Sequence, residues 1–408
     1  MQGSVQRPLW IAAAAIGLLY VGSTLLTPLY PIYRREFHFS ELIVTAIYAV
    51  YVIGNLAVLF LFGRLSDQVG RRPATLIAIG ITCFSTLLFL FAGSVGWLFP
   101  ARILNGFAAG LGAGALTAWI AELEPHGDRA RAAMVASAAN LGGLAFGALL
   151  AGVLAQLAPW PLRLPYLAFL VLLIAMFMAL CTVKETVEKR VRTTAELELK
   201  PRIGVPRDLR MAFIAPAAIA FAAFALGGFY AALTPEVLAR SLHRGTPLII
   251  GGIVALFFAC GAAAAVLGNR LRGRNAMVAA LILLWIGLGL LTLAEALHSM
   301  TLLVFASIVT GADMAVGYRG SLQIINEIAP ERQRAELVSS YLLVCYSANA
   351  LPVIGVGVLS LLLGPENAHR VFAIVLVALA SLACAIGLRH APQGQHQGDP
   401  MRLSGTRR

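Results

Sequence analysis

The chain has 408 residues, 59% of them apolar and 12% charged, with a formal net charge of +12. A water-soluble chain carries about a quarter charged residues, so this composition excludes a soluble domain; about 20 apolar residues cross a bilayer as one helix, and an integral membrane protein fits. The five cysteines, Cys83, Cys181, Cys260, Cys345 and Cys384, all fall within apolar runs, which excludes a disulfide-stapled secreted fold and reads them as small apolar fillers.

Taken in chain order, apolar stretches long enough to span predict twelve helices, near 9–33, 41–62, 74–94, 97–120, 132–157, 163–183, 209–235, 247–267, 276–297, 301–324, 337–363 and 370–388. In the first, Arg7 precedes an Ala-rich core as in a signal peptide. The apolar run continues through Leu25 and Pro28 to Tyr33, too long for such a signal, so it is read as a retained helix. An even number of spans puts both termini on one face. That face collects 23 of the 31 basic residues, whereas the opposite face has Arg34, Arg35, Arg163, Arg240, Arg244 and Arg370. The bias predicts cytoplasmic termini and explains the net charge through topology and anionic headgroups, without nucleic acid.

The one long polar stretch between spans, 184–208, reads KETVEKRVRTTAELELKPRIGVPRD and is closed by Pro201 and Pro206. It is expected to be a cytoplasmic linker between six-helix bundles at 1–183 and 209–390, with 391–408 a disordered cytoplasmic tail. A shift of 205 supports the division: Gly63 falls on Gly268, Gly106 on Gly311, Pro125 on Pro330, Arg129 on Arg334 and Gly152 on Gly357. A constant offset across several landmarks points to a duplicated unit. The fold class expected is an all-α membrane protein of two six-helix bundles related by a pseudo-two-fold axis, with substrate held between them.

The loop after the second helix, GRLSDQVGRRP (63–73), resembles the signature loop of the major facilitator superfamily through Gly63, Leu65, Asp67, Gly70, Arg71 and Arg72. RILNGFAAGLGAG (102–114) resembles a second motif of that family through Arg102, Gly106 and Gly110. NLGGLAFGALLAG (140–152) is similar to the glycine ladder of the drug:proton antiporter branch through Gly143 and Gly147, although Ala148 stands where that motif has proline. The glycines also have a purely packing reading, and Pro352, at the repeat equivalent of Gly147, is a candidate kink.

In the signature loop, Gly63 and Gly70 are expected to end one helix and turn into the next in backbone conformations that favour glycine. Asp67 is expected to cap the following helix. Arg71 and Arg72 are then free to reach Glu122 in an ionic latch that breaks as the halves rock; the competing reading of the two arginines is topology alone. The second-half copy, GNRLRGR (268–274), lacks the aspartate.

Charges within spans cost at least about 2.5–3.5 kcal/mol each, and three stand clearly inside: Arg102, Asp313 and Arg319. Asp313 is read either as a carboxylate that takes a proton in one state and releases it in the other, or as half of a structural ion pair with an arginine. Arg102 divides between binding an anionic group and structural pairing. Arg319 leans to a structural role near the rim. Glu236 and Glu295 are read as solvated span ends, and all seven histidines, His369 among them, as loop, span-end or tail residues.

The resemblance implies that helices 1, 4, 7 and 10 line the cavity. They offer Tyr20, Ser23, Thr24 and Thr27, then Asn105, then Phe229 and Tyr230, then Asp313 and Tyr318; helices 2, 5, 8 and 11 add Tyr51, Asn55, Asn140, Phe257, Tyr346 and Asn349. Such a mostly apolar, aromatic cavity suits drug-sized ligands, and packing is the competing reading for any one ring. No nucleotide-binding glycine loop, nucleophile elbow or metal spacing is present, so no enzyme, no metal site and no cofactor are expected. The function expected is proton-coupled efflux of a small, largely apolar organic compound or drug by a monomer in a bacterial inner membrane. Proton-coupled transport of an organic acid or sugar is the alternative, and a non-transporting membrane receptor or scaffold the alternative of another class. The expected partners are the substrate, protons and the bilayer.

Overall fold

The computed structural model describes residues 2–63, 65–188, 203–268, 271 and 273–389. Most of the expected linker, the expected tail, and Arg64, Asn269, Arg270 and Arg272 therefore lie outside the described residues. Among the described residues twelve helices are long and apolar enough to cross a membrane. They are α1 (Gln6–Phe37), α2 (Glu41–Phe62), α3 (Arg71–Leu90), α4 (Val95–Leu123), α5 (Arg129–Leu157), α6 (Leu164–Cys181), α7 (Arg207–Ala232), α8 (Pro247–Leu267), α9 (Gly273–Ala296), α10 (Met300–Ile328), α11 (Arg334–Leu363) and α12 (Pro365–Ile386). Each corresponds to one predicted span, with the ends moved by a few residues where polar caps extend the helix beyond its apolar run. At α5, for instance, Asp128 accepts from the N–H groups of Ala130 and Arg131, which sets the helix start before the apolar stretch.

The packing repeats with a period of six helices. In the first half α1 packs on α4 and α5, α2 on α4, and α3 on α4 and α6; in the second half α7 packs on α10 and α11, α8 on α10, and α9 on α10 and α12. Two further seams, α2 with α11 and α5 with α8, join the halves and exchange under the same rule. His38 and His243, 205 positions apart, are both left-handed, with φ of 50° and 54°. The core is correspondingly double, although the second-half cluster reaches across to Tyr48 and to Leu141, Leu144 and Ala148 of α5.

An even helix count places the described start of the chain, the 63–70 loop and residues 182–188 and 203–206 at one end, here called the near end. At the opposite, far end the halves are closed on each other. Thr27 Oγ1 donates to Ala231 O at 2.7 Å, Arg34 Nη1 to Glu236 Oε2 at 3.0 Å, and Leu248 N to Gln156 Oε1 at 3.0 Å. Arg240 pairs with Glu236 and lies 3.8 Å from Glu41. Glu236 is thus no solvated end; it is buried in a cluster of alternating charges drawn from both halves, because closing the seam removes water from it. Gly152 of α5 meets Pro247 and Gly251 of α8, while Gly357 of α11 meets Thr45 of α2. The space left at the far-end seam is about 50 Å³. Towards the near end a cleft of about 570 Å³ opens between α1, α5 and α8, lined by Trp10, Ala13, Gly17, Met134, Ala138 and Val266.

Candidate functional site

Of the three charges placed inside spans by sequence, two are buried, Asp313 to 3% and Arg102 to 1% exposure. Asp313, on α10, faces α7 and α9, where Ile219 and Ala280 stand around the neighbouring Gly317. No hydrogen bond or ion pair reaches it among the described residues, and its Oδ2 is buried without a partner. Arg102, on α4, donates from Nη1 to Ser23 O at 2.8 Å and lies 3.4 Å from Asn105 Oδ1. Its guanidinium carbon sits 5.4 Å from the Tyr48 ring centre and 4.9 Å from that of Tyr51. Two ring faces partly replace the missing carboxylate, since an aromatic quadrupole attracts a cation. Arg319 donates to Leu271 O at 2.8 Å near the rim, a structural use.

Between the halves, Tyr20 of α1 faces Asn140, Tyr51 and Tyr346, and Phe224 of α7 meets Tyr318 of α10 and Tyr346 of α11 edge-on, at 5.4 and 6.3 Å. Tyr20, Phe224, Tyr318, Tyr346, Asn140 and Asn349 stay partly exposed inside the bundle and form an aromatic wall drawn from both halves. Asn349 also crosses the seam, accepting from the Tyr48 hydroxyl at 3.0 Å.

Other expected cavity residues are packed instead. Thr24 spends its hydroxyl on Leu144 O at 2.7 Å, where α1 and α5 approach closely. Tyr230 is buried flat on Phe257 at 4.1 Å and accepts from Thr310. Asn55 and Asn105 are buried against the small residues Gly110 and Gly22. For Thr24, Asn55 and Asn105 the physical reason is common: helix faces carrying glycine come so close that no cavity remains beside them, whereas Tyr230 is covered by the Phe257 ring. Gly143 and Gly147 serve the same approach, since a Cβ there would lie within 2.4 Å of the Gly17 or Val21 carbonyl oxygen.

In the 63–70 loop, Arg71 Nη2 and Nε reach Glu122 Oε1 at 2.8 and 3.1 Å, and Nη1 reaches Ser66 Oγ at 2.8 Å and also Asp67. Two expectations need correction. Gly63 is ordinary right-handed helix at φ −58°, because α2 ends in a π-helical turn over Val58–Phe62 and needs no reversal there; only Gly70, at φ 109°, uses glycine's freedom. Asp67 does not cap α3: its carboxylate turns to Arg71. The cap is Glu185, which accepts from the N–H groups of Arg71 and Arg72, both at 3.0 Å. Burial pushes the Glu185 carboxyl up, but bonds from the Val187, Arg71, Arg72 and Thr186 N–H groups outweigh it and hold it below the usual carboxylate range. Thr186 in turn donates to Glu122. These bonds tie α3, α4 and the segment after α6 together within the first half.

A carboxylate with a lowered folded-state pKa stabilises at neutral pH and loses that contribution as pH falls through the folded value. Glu185→Gln is accordingly expected to lower stability by about 0.5–2 kcal/mol near neutrality, as for a lost cap. Thermal unfolding of both proteins in one detergent checks this; the gap should close as pH falls below about 4, where the unfolded carboxyl is protonated.

One further pair escaped the sequence reading. Glu295 and His369 are buried to 2% and 3% exposure, with Glu295 Oε1 2.8 Å from His369 Nδ1. Neither is a solvated span end, because α12 begins against α9 and α7 and encloses both.

Comparison with known sequences matches residues 12–235 to the Major Facilitator Superfamily, more than half of the chain. The chain belongs to the major facilitator superfamily. Within that superfamily it is 31% identical over 217 residues to "Multidrug resistance protein 1" of Bacillus subtilis (strain 168), a match covering 52% of this chain and 54% of that protein. It is 24% identical over 229 residues to "Quinolone resistance protein NorA" of Staphylococcus aureus (strain MRSA252), covering 55% and 57% respectively. The chain therefore spans about half the length of the curated relatives it matches. Twelve apolar helices among the described residues and this membership make it a multi-pass membrane protein.

Proposed function

We propose that the chain is a proton-driven exporter of small, largely apolar organic compounds, working by alternating access as a monomer in a bacterial inner membrane with the near end cytoplasmic. The observation that carries this is Asp313: a carboxyl at 3% exposure with no cation beside it among the described residues is a poor structural element, and a group that alternates between neutral and charged as water reaches it accounts for its presence. The aromatic wall supplies apolar area and few polar groups, which suits ligands recognised by shape and burial. Two relatives named for drug and quinolone resistance support the substrate class. A sealed far end and a cleft towards the near end support the reading of a cytoplasm-facing stage of the cycle, in which the Arg71–Glu122 latch acts within the first half while the seams α2–α11 and α5–α8 rock.

The test is efflux from intact bacteria. Cells producing the protein should retain less of a lipophilic fluorescent dye than control cells, and a protonophore should abolish the difference; equal retention would refute the reading. Arg102, which has no carboxylate among the described residues, favours one second reading, an organic anion as substrate. That reading requires labelled organic acids, rather than the dye, to be moved, and Arg102→Gln to stop their movement.

A further inference from the structure

The Glu295–His369 pair lies outside the aromatic wall and away from Asp313, at the far ends of α9 and α12. Each partner keeps one buried polar atom without a bond, Glu295 Oε2 and His369 Nε2. The imidazole is enclosed by the Phe229 ring, edge-on at 5.2 Å, and Phe229 stacks on Phe372 at 5.1 Å. A structural ion pair would satisfy its remaining atoms; two orphans in an apolar pocket cost free energy without making the helices fit better.

The same short stretch of α7 touches both this pair and the far-end seal. Phe229 covers His369, the Ala231 carbonyl takes the cross-half bond from Thr27, and Glu236 follows with its bond to Arg34. We propose that Glu295 and His369 form a second proton-binding site, separate from Asp313, whose occupancy sets whether the far end of α7 holds its sealing position. With one proton shared between them the pair is neutral as a unit and tolerates burial. A second proton, taken from water on the far side, leaves an imidazolium beside an uncharged carboxyl, a net charge that an apolar pocket does not accept. Movement of α7 away from α12 then hydrates the site and releases the seal, so acid on the far side favours opening.

The titratable and charged groups around the pair are few. Tyr230 faces it from α7, and α10 presents the hydroxyls of Ser307 and Thr310 to that tyrosine. Glu366 and Arg370 of α12 are exposed and 3.8 Å apart, and His298 is bonded to Ser241 O. Glu36, Glu41 and Glu236 are further carboxylates of the far end, whose contribution the test must separate from that of the pair. The proposal rests on the reading of a transport cycle only in taking the far end to open at all.

Spin labels at Ser40 and Arg244, exposed and on opposite halves, in a background lacking the native cysteines, report the far-end gap in purified protein without any substrate. Acidification from pH 6 to about 3.5, the range in which a hydrated carboxyl beside an imidazolium takes up its proton, should shift the distance distribution towards a longer population. In the double variant Glu295→Gln with His369→Gln, which keeps a hydrogen-bonding pair but cannot titrate, that shift should vanish, and a pH jump over the same range should take up about one proton fewer per molecule. Glu295→Asp, which still titrates, should keep the shift and serves as the control for folding. Asp313→Asn should keep it too, even if that variant abolishes transport, so failure of the transport reading remains distinct. A far end that ignores pH in the parent protein, or a double variant that responds and binds protons like the parent, overturns the proposal.

Discussion

Asp313→Asn is expected to raise thermal stability while lowering proton-coupled transport by at least about tenfold, the effect of about 1.4 kcal/mol on a rate. The two signs are what separate the roles open to this residue. An aspartate held in an ion pair would leave an unpaired buried arginine when neutralised, and the protein would lose several kcal/mol. No cation lies against Asp313 among the described residues, and Ile219 and Ala280 border its helix turn. Asparagine keeps the shape and removes a charge that costs about 2.5–3.5 kcal/mol on insertion, so the variant should insert as well as the parent and unfold at a higher temperature. Thermal unfolding and gradient-driven transport on one preparation check both signs.

Gly152→Leu is expected to hold the far end open and to reduce transport more than about tenfold, since overpacking a tight seam costs about 1–3 kcal/mol in the closed state alone. A Cβ at this position would stand 2.7 Å from Pro247 O and 3.1 Å from Gly251 Cα, both backbone atoms of α8 that cannot rotate aside. Gly357 is its repeat equivalent, yet there the Cβ would meet the Thr45 side chain at 2.6 Å. The Thr45 methyl also faces it at 3.0 Å, but a side chain can shift where a backbone carbonyl cannot, so Gly357→Ala should be milder than Gly152→Ala. Distances between far-end labels, compared for the two variants, measure the difference.

Much of the architecture was readable because the bilayer imposes a length: each predicted span, from Leu9–Tyr33 onward, corresponds to one helix, and the offset of 205 that pairs Gly152 with Gly357 reappears as two equivalent seams. Arg102 and Asp313 were legible as buried charges because charge in an apolar run is rare. What escaped was whatever depends on two distant segments meeting. Glu185 lies in a polar stretch and gave no sign that it folds back onto the start of α3. Glu236, Glu295 and His369 stand at helix ends, where sequence cannot tell water from a neighbouring helix. Thr27, in the run LLTP, and Ala231, in the run AALTP, meet only where the two halves close on each other. Thr24, Asn55 and Asn105 were misplaced for the converse reason, since close helix approach buries polar groups that pattern alone assigns to a cavity, and Tyr230 because the Phe257 ring covers it.

The most direct test of the central claim uses the purified protein in liposomes, with an imposed pH gradient and a lipophilic fluorescent cation or neutral dye. The account predicts accumulation of dye against its own gradient when protons run the opposite way, and none after a protonophore is added. Dye movement that only equilibrates, at a rate indifferent to the size and sign of the pH gradient, would contradict it.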